Sequence, residues 1–260
     1  MPERMAPEKR VSERTCRLWS AIWNWWCDQR RETSTFSAFR RLLGIAWEFG
    51  RESLPDRRRQ RYGDVDYDWE HRVNTTGAAL NWRTRLLGLL HSQYQPVPPE
   101  QFREMISALA GHIGESADLR QFTFIDIGSG KGRALLLALE WGFRRMVGVE
   151  LLPELDRIAR DNIRAFQEPG VNAEIELVCM DARRFTFPTE PSVVFLFNPL
   201  PKPHLRVLLA NLERSLRQNH RALYLVYANP VFERAFAAFQ MLRKVSGTNQ
   251  YSLFATSAGR

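Results

Sequence analysis

Cysteine is scarce in this chain, with three residues in 260 (Cys16, Cys27 and Cys179) and no CxxC pair among them. So odd and scattered a set excludes a disulfide framework and a cysteine-rich zinc site, and it fits a reducing cytoplasm. Histidine is sparse as well. The five residues show no HxxxH or other ligand spacing, so no metal site is expected. Nowhere does the chain approach the roughly 18–20 consecutive apolar residues that a membrane-spanning helix requires. The apolar stretch from Leu18 to Trp26 follows a basic start but lies late, lacks a small-residue cleavage site and runs directly into Cys27-Asp28-Gln29-Arg30-Arg31, so secretion is not expected. Lysine is nearly missing: Lys9, Lys131, Lys202 and Lys244 are the only four, and the other 33 of the 37 basic residues are arginines. That bias fits genomic codon preference. It also fits recognition of phosphate or carboxylate by arginine's planar fork.

What is present is ordinary globular material, 44% hydrophobic and 25% charged, which argues against wholesale disorder. The length suits one domain of normal size with an accessory part. The net charge of +8 is unevenly placed, because residues 1–62 hold 14 basic and 8 acidic side chains. Any acidic partner, RNA or an anionic membrane surface, is therefore expected at the N-terminal arm.

Residues 1–92 read as that arm. A Trp-rich helix is expected over 16–31 and a basic amphipathic one over about 34–51, with Phe36, Phe39, Leu43, Ala46 and Trp47 at helical spacing. A linker rich in arginine follows at 55–61. Residues 61–82 are polar, aromatic and non-periodic, and they read as a structured, lid-like loop. Within it, Tyr62, Tyr67 and Trp69 are candidates for an aromatic wall or for pins that hold the loop down. The sequon Asn74-Thr75-Thr76 carries no meaning in a cytoplasmic protein.

Residues 93–260 have a different rhythm. After a helix at about 100–113, strands are expected at 122–127, 145–151, 174–179, 192–197 and 221–227. Helices between them are expected at 132–142, 153–167 and 203–218, and another at about 230–239. Two short strands near 241–246 and 250–256 close the chain around Gly247-Thr248-Asn249. The fold class is α/β: a doubly wound, mostly parallel seven-stranded sheet with a C-terminal antiparallel hairpin, plus the N-terminal helical extension.

The strongest motif is Phe124-Ile125-Asp126-Ile127-Gly128-Ser129-Gly130-Lys131-Gly132, where the first strand turns into a helix. Small residues there let a ligand approach the backbone, and a helix N-terminus offers free N–H groups. The pattern D-x-G-x-G-x-G departs from the dinucleotide fingerprint, since Arg133 stands where G-x-G-x-x-G needs glycine. Glu150 ends the second strand, where a carboxylate can accept both hydroxyls of a ribose. Asp181 follows the third strand, where it can accept from an adenine amino group. All three carboxylates fall at carboxyl ends of successive strands, the side on which open α/β sheets bind ligands.

At these residues the sequence resembles the class I S-adenosylmethionine-dependent methyltransferases, over roughly residues 93–260. It is most similar to bacterial members with an N-terminal helical arm and an upstream element like Tyr94-Gln95-Pro96. The resemblance implies S-adenosylmethionine as cofactor. Asp126 and the loop Gly128, Ser129, Gly130 and Gly132 would lie at its methionine end, Glu150 at the ribose, Asp181 at the adenine, and Tyr94 nearby.

Phe197-Asn198-Pro199-Leu200-Pro201 follows the fourth strand, where this fold presents the methyl group. The motif resembles the N-P-P-aromatic element of enzymes that methylate amines and amides, with Leu200 and Pro201 in place of the second proline and the aromatic. Asn198 and Pro199 are the candidate catalytic pair, and Asn198 also neighbours the cofactor. His204 is a candidate base, and Tyr227 with Asn229-Pro230 candidates to line the mouth. The expected function is methylation of an amine on a protein or small molecule. The alternatives are methylation of RNA held by the arm, and a non-catalytic module that binds an adenosine cofactor.

Overall fold

The computed structural model describes residues 65–76, 95–114, 118–166, 173–197 and 200–256, together with the helical Leu43. The expected helices at 16–31 and 34–51 and the arginine-rich linker lie outside the described residues, as do Tyr62, Tyr94, Asn198 and Pro199. Gly63–Gly77 and Gln95–Arg260 form one compact unit, and the architecture below is that of this unit.

Seven strands form one sheet: β1 (Thr123–Ile127), β2 (Arg145–Glu150), β3 (Glu174–Cys179), β4 (Ser192–Phe197), β5 (Leu223–Ala228), β6 (Leu242–Gly247) and β7 (Tyr251–Thr256). Their order is β3-β2-β1-β4-β5-β7-β6. The first five are parallel, and β7 runs antiparallel to both β5 and β6. This is the expected architecture, with strand ends displaced by one or two residues. Strands β1 and β4 are buried almost throughout, as strands covered on both faces must be, and they read as apolar runs. The edge strands instead carry charge: Glu174 and Glu176 on β3, Arg243 and Lys244 on β6. Charged edges discourage a further strand from pairing there.

Alternation along β1 sends side chains to two cores. Ile125 and Ile127 join Val147, Val149 and Leu205, Leu209 and Leu212 of one helix. That helix, Lys202–Gln218, presents its leucines at positions three and four apart. Phe124 points the other way, into Phe102, Met105, Ile106 and Leu109 of helix Pro99–Ile113 and Leu135 and Leu137 of helix Arg133–Leu139. Pro99 and Pro153 stand in the first turns of their helices, where a missing N–H costs nothing.

In chain order the described α-helices are α1 (Val65–Glu70), α2 (Pro99–Ile113), α3 (Arg133–Leu139), α4 (Pro153–Ala165) and α5 (Lys202–Gln218). Two local expectations change. The lid-like loop contains α1, and the helix expected near 230–239 is a 3-10 helix over Glu233–Ala238. Asn229, just before Pro230, is left-handed, and the turn residues Val231 and Phe232 lead from Pro230 into the 3-10 helix.

Candidate functional site

The chain reverses its order across the sheet between β1 and β4, and such a switch point opens a crevice at the strands' carboxyl ends. Asp126 is the penultimate residue of β1, paired with Gly148 of β2 and Phe195 of β4. The loop that follows makes three left-handed turns, at Gly128 (φ 79°), Gly130 (φ 55°) and Gly132 (φ 86°). Residues with a Cβ pay roughly 1–2 kcal/mol for that conformation, so alternate glycines are what the loop requires.

Backbone bonds fix the loop to β2: the N–H groups of Gly128 and Ser129 both donate to the Val149 carbonyl, at 2.8 and 3.0 Å. Close approach is possible because Gly148 is bare; a Cβ there would stand 3.0 Å from Ser129 Oγ and 2.7 Å from methyl groups of Leu135 and Leu177. Ser129 Oγ itself is buried with no hydrogen-bond partner among the described residues.

Glu150 closes the loop from the next strand. Its Oε2 accepts from Gly130 N at 2.9 Å and its Oε1 from Leu152 N at 2.8 Å. Each oxygen keeps further lone-pair capacity for a ligand hydroxyl. Burial pushes the Glu150 carboxyl up, and those N–H groups pull against it. Asp126 has no such relief. It is buried, no described residue donates a hydrogen bond to it, and burial together with the Glu150 charge pushes its carboxyl up to about 8. A buried carboxyl of this kind regains its charge beside a cation or hydrogen-bond donors, and an ammonium is both.

Asp181 stands after β3 and is partly exposed. It caps the 3-10 helix Ala182–Arg184 through Arg183 N at 2.9 Å and pairs with the Arg183 guanidinium at 2.7 Å. Burial raises its carboxyl, but the Arg183 bonds outweigh that and hold it below the ordinary range. The structure therefore brings Asp126, Gly128, Ser129, Gly130, Gly132 and Glu150 together, with Asp181 two strands along the same edge of the sheet.

A cleft of about 400 Å³ opens at the ends of β4 and β5, lined by Gln95, Gln101, Phe197, Asn229, Asn249 and Gln250. Asn229 keeps a left-handed conformation (φ 49°) while its N–H donates to the Gln250 carbonyl at 2.8 Å. Strain of this kind gathers at functional sites. Tyr227, by contrast, does not line a mouth. It is buried, and its hydroxyl accepts from Phe232 N. Nor does Tyr67 form an aromatic wall, since it is buried beneath the Arg133 guanidinium, 5.0 Å from its ring, and stacked on His71. Trp69 is 85% exposed. His204 lies in the first turn of α5. Among the described residues no group of three or more His, Cys, Asp or Glu side chains is placed to hold a metal ion.

Sequence reasoning missed the polar cluster behind the loop. Lys131 has no exposed surface, and its ammonium donates to Asn74 Oδ1 at 2.9 Å and to the Thr76 carbonyl. Burial lowers it to about 8 against the pull of Asp68. Arg133, also buried, pairs with Asp68 at 3.0 Å and with Thr75 Oγ1 at 2.6 Å. Asp68 in turn accepts from the N–H groups of Thr75 and Thr76, both at 2.8 Å, and from the Thr75 hydroxyl. The available signal was two cations inside and beside a glycine loop whose neighbouring sequence is apolar. The unremarkable sequon supplies the partners of Lys131 and one of those of Arg133, and Asp68 supplies the counter-charge.

Residues 124–219 match a family model described as a methyltransferase domain. No curated protein sequence matches the chain. Among solved structures, the chain is similar to the methyltransferase domain of bacterial CtHen1 (13% identity over 62% of this chain and 100% of that one, TM-score 0.43). It is also similar to the glycopeptide N-methyltransferase MtfA (12% identity, 64% and 92% coverage, TM-score 0.46). A third is the ribosomal protein L11 methylase of Lactobacillus delbrueckii subsp. bulgaricus (16% identity, 65% and 91% coverage, TM-score 0.42).

Proposed function

We propose that the chain, which carries a methyltransferase domain of the class I fold, uses S-adenosylmethionine to methylate an amine on a protein or small molecule. The observation that carries the cofactor reading is Asp126: a buried carboxyl without a hydrogen bond from the described residues, beneath a loop of left-handed glycines and beside Glu150. The methionine end of the cofactor is cationic, and a cation is what this carboxyl lacks. Gly128, Ser129, Gly130 and Gly132 border the same end. Glu150 has acceptor capacity left for ribose hydroxyls and Asp181 stands toward the adenine end, with Tyr94 and Asn198 as further neighbours.

When bound, the cofactor supplies a methyl group already activated by its sulfonium. The chain's own contribution is then to orient an acceptor and exclude water. Asn198 and Pro199 come next in sequence after Phe197, which ends β4 and borders the amide-lined cleft. In this reading the Asn198 side-chain oxygen and adjacent carbonyls hold the acceptor by its N–H groups, with the nitrogen lone pair turned to the methyl. Labelled S-adenosylmethionine incubated with the full chain and a lysate separated into protein, RNA and small molecules tests it. Label is expected in protein or small molecules and resistant to mild base, as N-methyl groups are. Label confined to RNA would replace the amine assignment by an RNA one.

A further inference from the structure

The glycine loop is gripped from behind by side chains that cofactor binding leaves unused. Asn162, on α4 and 4% exposed, makes three hydrogen bonds with one amide. Its Oδ1 accepts from Asn74 N at 2.8 Å, while Nδ2 donates to the Asn74 carbonyl at 3.0 Å and to the Lys131 carbonyl at 2.9 Å. The first two satisfy both backbone groups of Asn74, as a neighbouring strand would. The third reaches the backbone of the loop itself. Lys131 completes the circuit from the other side, its ammonium on Asn74 Oδ1 and the Thr76 carbonyl. Loop, α4 and residues 74–76 therefore close a ring of hydrogen bonds. The buried Asp68–Arg133 pair and the stack of Tyr67, His71 and Phe166 anchor its outer side.

Stability is a poor explanation for this ring. A buried ammonium forfeits hydration that its new partners only balance, and an apolar side chain of similar volume serves stability as well or better. What the charged, directional arrangement adds is position. Four backbone groups, those of Asn74 (N–H and carbonyl), Thr76 and Lys131, are each set by a named side-chain atom.

We propose that Lys131 and Asn162 are positioning residues that couple residues 65–76 to the cofactor loop, so that docking of this strap and binding of cofactor favour each other. The inference rests on the reading that the loop receives S-adenosylmethionine. Coupling is reciprocal: if the docked strap tightens cofactor binding by some factor, cofactor must stabilise the docked strap by the same factor.

Hydrogen exchange of the full chain, followed by mass spectrometry with and without S-adenosylhomocysteine, reads this directly. In the wild type, ligand is expected to slow exchange in peptides covering 65–76 by about fivefold or more, within the usual range of coupling. In Lys131→Met and in Asn162→Asp that protection is lost. Calorimetry well below the melting temperature then shows affinity for S-adenosylhomocysteine down about tenfold. A merely structural role moves the melting temperature and leaves the affinity of the folded variants alone. If Lys131→Met does not fold, Asn74→Ala, which removes one Lys131 acceptor and keeps the Asp68–Arg133 pair, carries the same expectation. Wild-type protein that binds S-adenosylhomocysteine without protecting 65–76, or folded variants that bind it within twofold of wild type, overturns the coupling. Failure of the wild type to bind S-adenosylhomocysteine overturns the cofactor reading itself, and the coupling with it.

Discussion

Replacing Asp126 by asparagine keeps the shape of the side chain and removes its titration. In the folded protein the carboxyl holds its proton up to about pH 8, whereas its ordinary value is 3.8. Over that window the folded state binds a proton that the unfolded chain has released, so stability falls as pH rises and levels off above about pH 8. At 1.36 kcal/mol per unit, the loss between about pH 4 and pH 7 is on the order of 4 kcal/mol. Urea denaturation at about pH 5, 7 and 8.5 should therefore show wild type losing ground to Asp126→Asn as pH increases. Shifts at Glu150 and Lys131 are common to both proteins and cancel in the difference. Ligand binding has the opposite sign. The ammonium of the ligand's amino-acid end, present in S-adenosylhomocysteine as well, favours the ionised carboxyl, so S-adenosylhomocysteine at about pH 7 should release up to about one proton, and its affinity should rise with pH until about pH 8. Calorimetry in phosphate and in Tris separates the proton from the intrinsic heat. Equal heats in the two buffers, with parallel denaturation profiles for the two proteins, would refute the reasoning.

Three further outcomes follow from the geometry. Asp68→Asn leaves the buried Arg133 guanidinium without its counter-charge and should cost about 3 kcal/mol or more in urea denaturation, because breaking a buried pair strands the remaining ion; a loss under about 1 kcal/mol contradicts the burial. Gly132→Ala, at φ 86° with a new Cβ 3.4 Å from that of Ala159, should destabilise by about 1–2 kcal/mol, measured the same way. Glu150→Ala strands the N–H groups of Gly130 and Leu152 and should weaken S-adenosylhomocysteine binding at least about tenfold; unchanged binding removes the ribose assignment.

Most of the sheet was legible because its strands obey one rule at a time. Strands β1, β4 and β5 are covered on both faces and read as apolar runs, and each helix is fenced by Pro, Gly or a change of period. The positions of Asp126, the glycines and Glu150 at strand ends and in the turn were legible because a strand-to-helix turn is set locally. The cluster of Asp68, Asn74, Thr75, Lys131, Arg133 and Asn162 was not, because apart from Asp68 with Thr75 its partners lie 31 to 88 residues apart and nothing periodic marks them. Burial of Tyr67 was hidden for the same reason: an aromatic ring in a polar stretch carries no sign of which way it turns, whereas Tyr227 lies in the apolar run of β5 and is buried with it. The 3-10 turn over Glu233–Ala238 shows a different limit, since composition distinguishes poorly between an α-helix and a 3-10 helix in so short a segment.

The ring at Asn162 also orders the making of the protein in time. The Asn74 backbone waits for a side chain 88 residues further along, so during synthesis the strap leaves the ribosome long before its partner exists. Strands β1 and β2 and helix α3 are all made before that bond can form. Domains fold as units once their long-range partners are present, and closing such distant contacts is among the slower steps of folding. On the proposed coupling, competence for the cofactor arrives only once α4 has been made. A nascent chain stopped short of α4 can hold the glycine loop's sequence and still lack the shape that makes it a site.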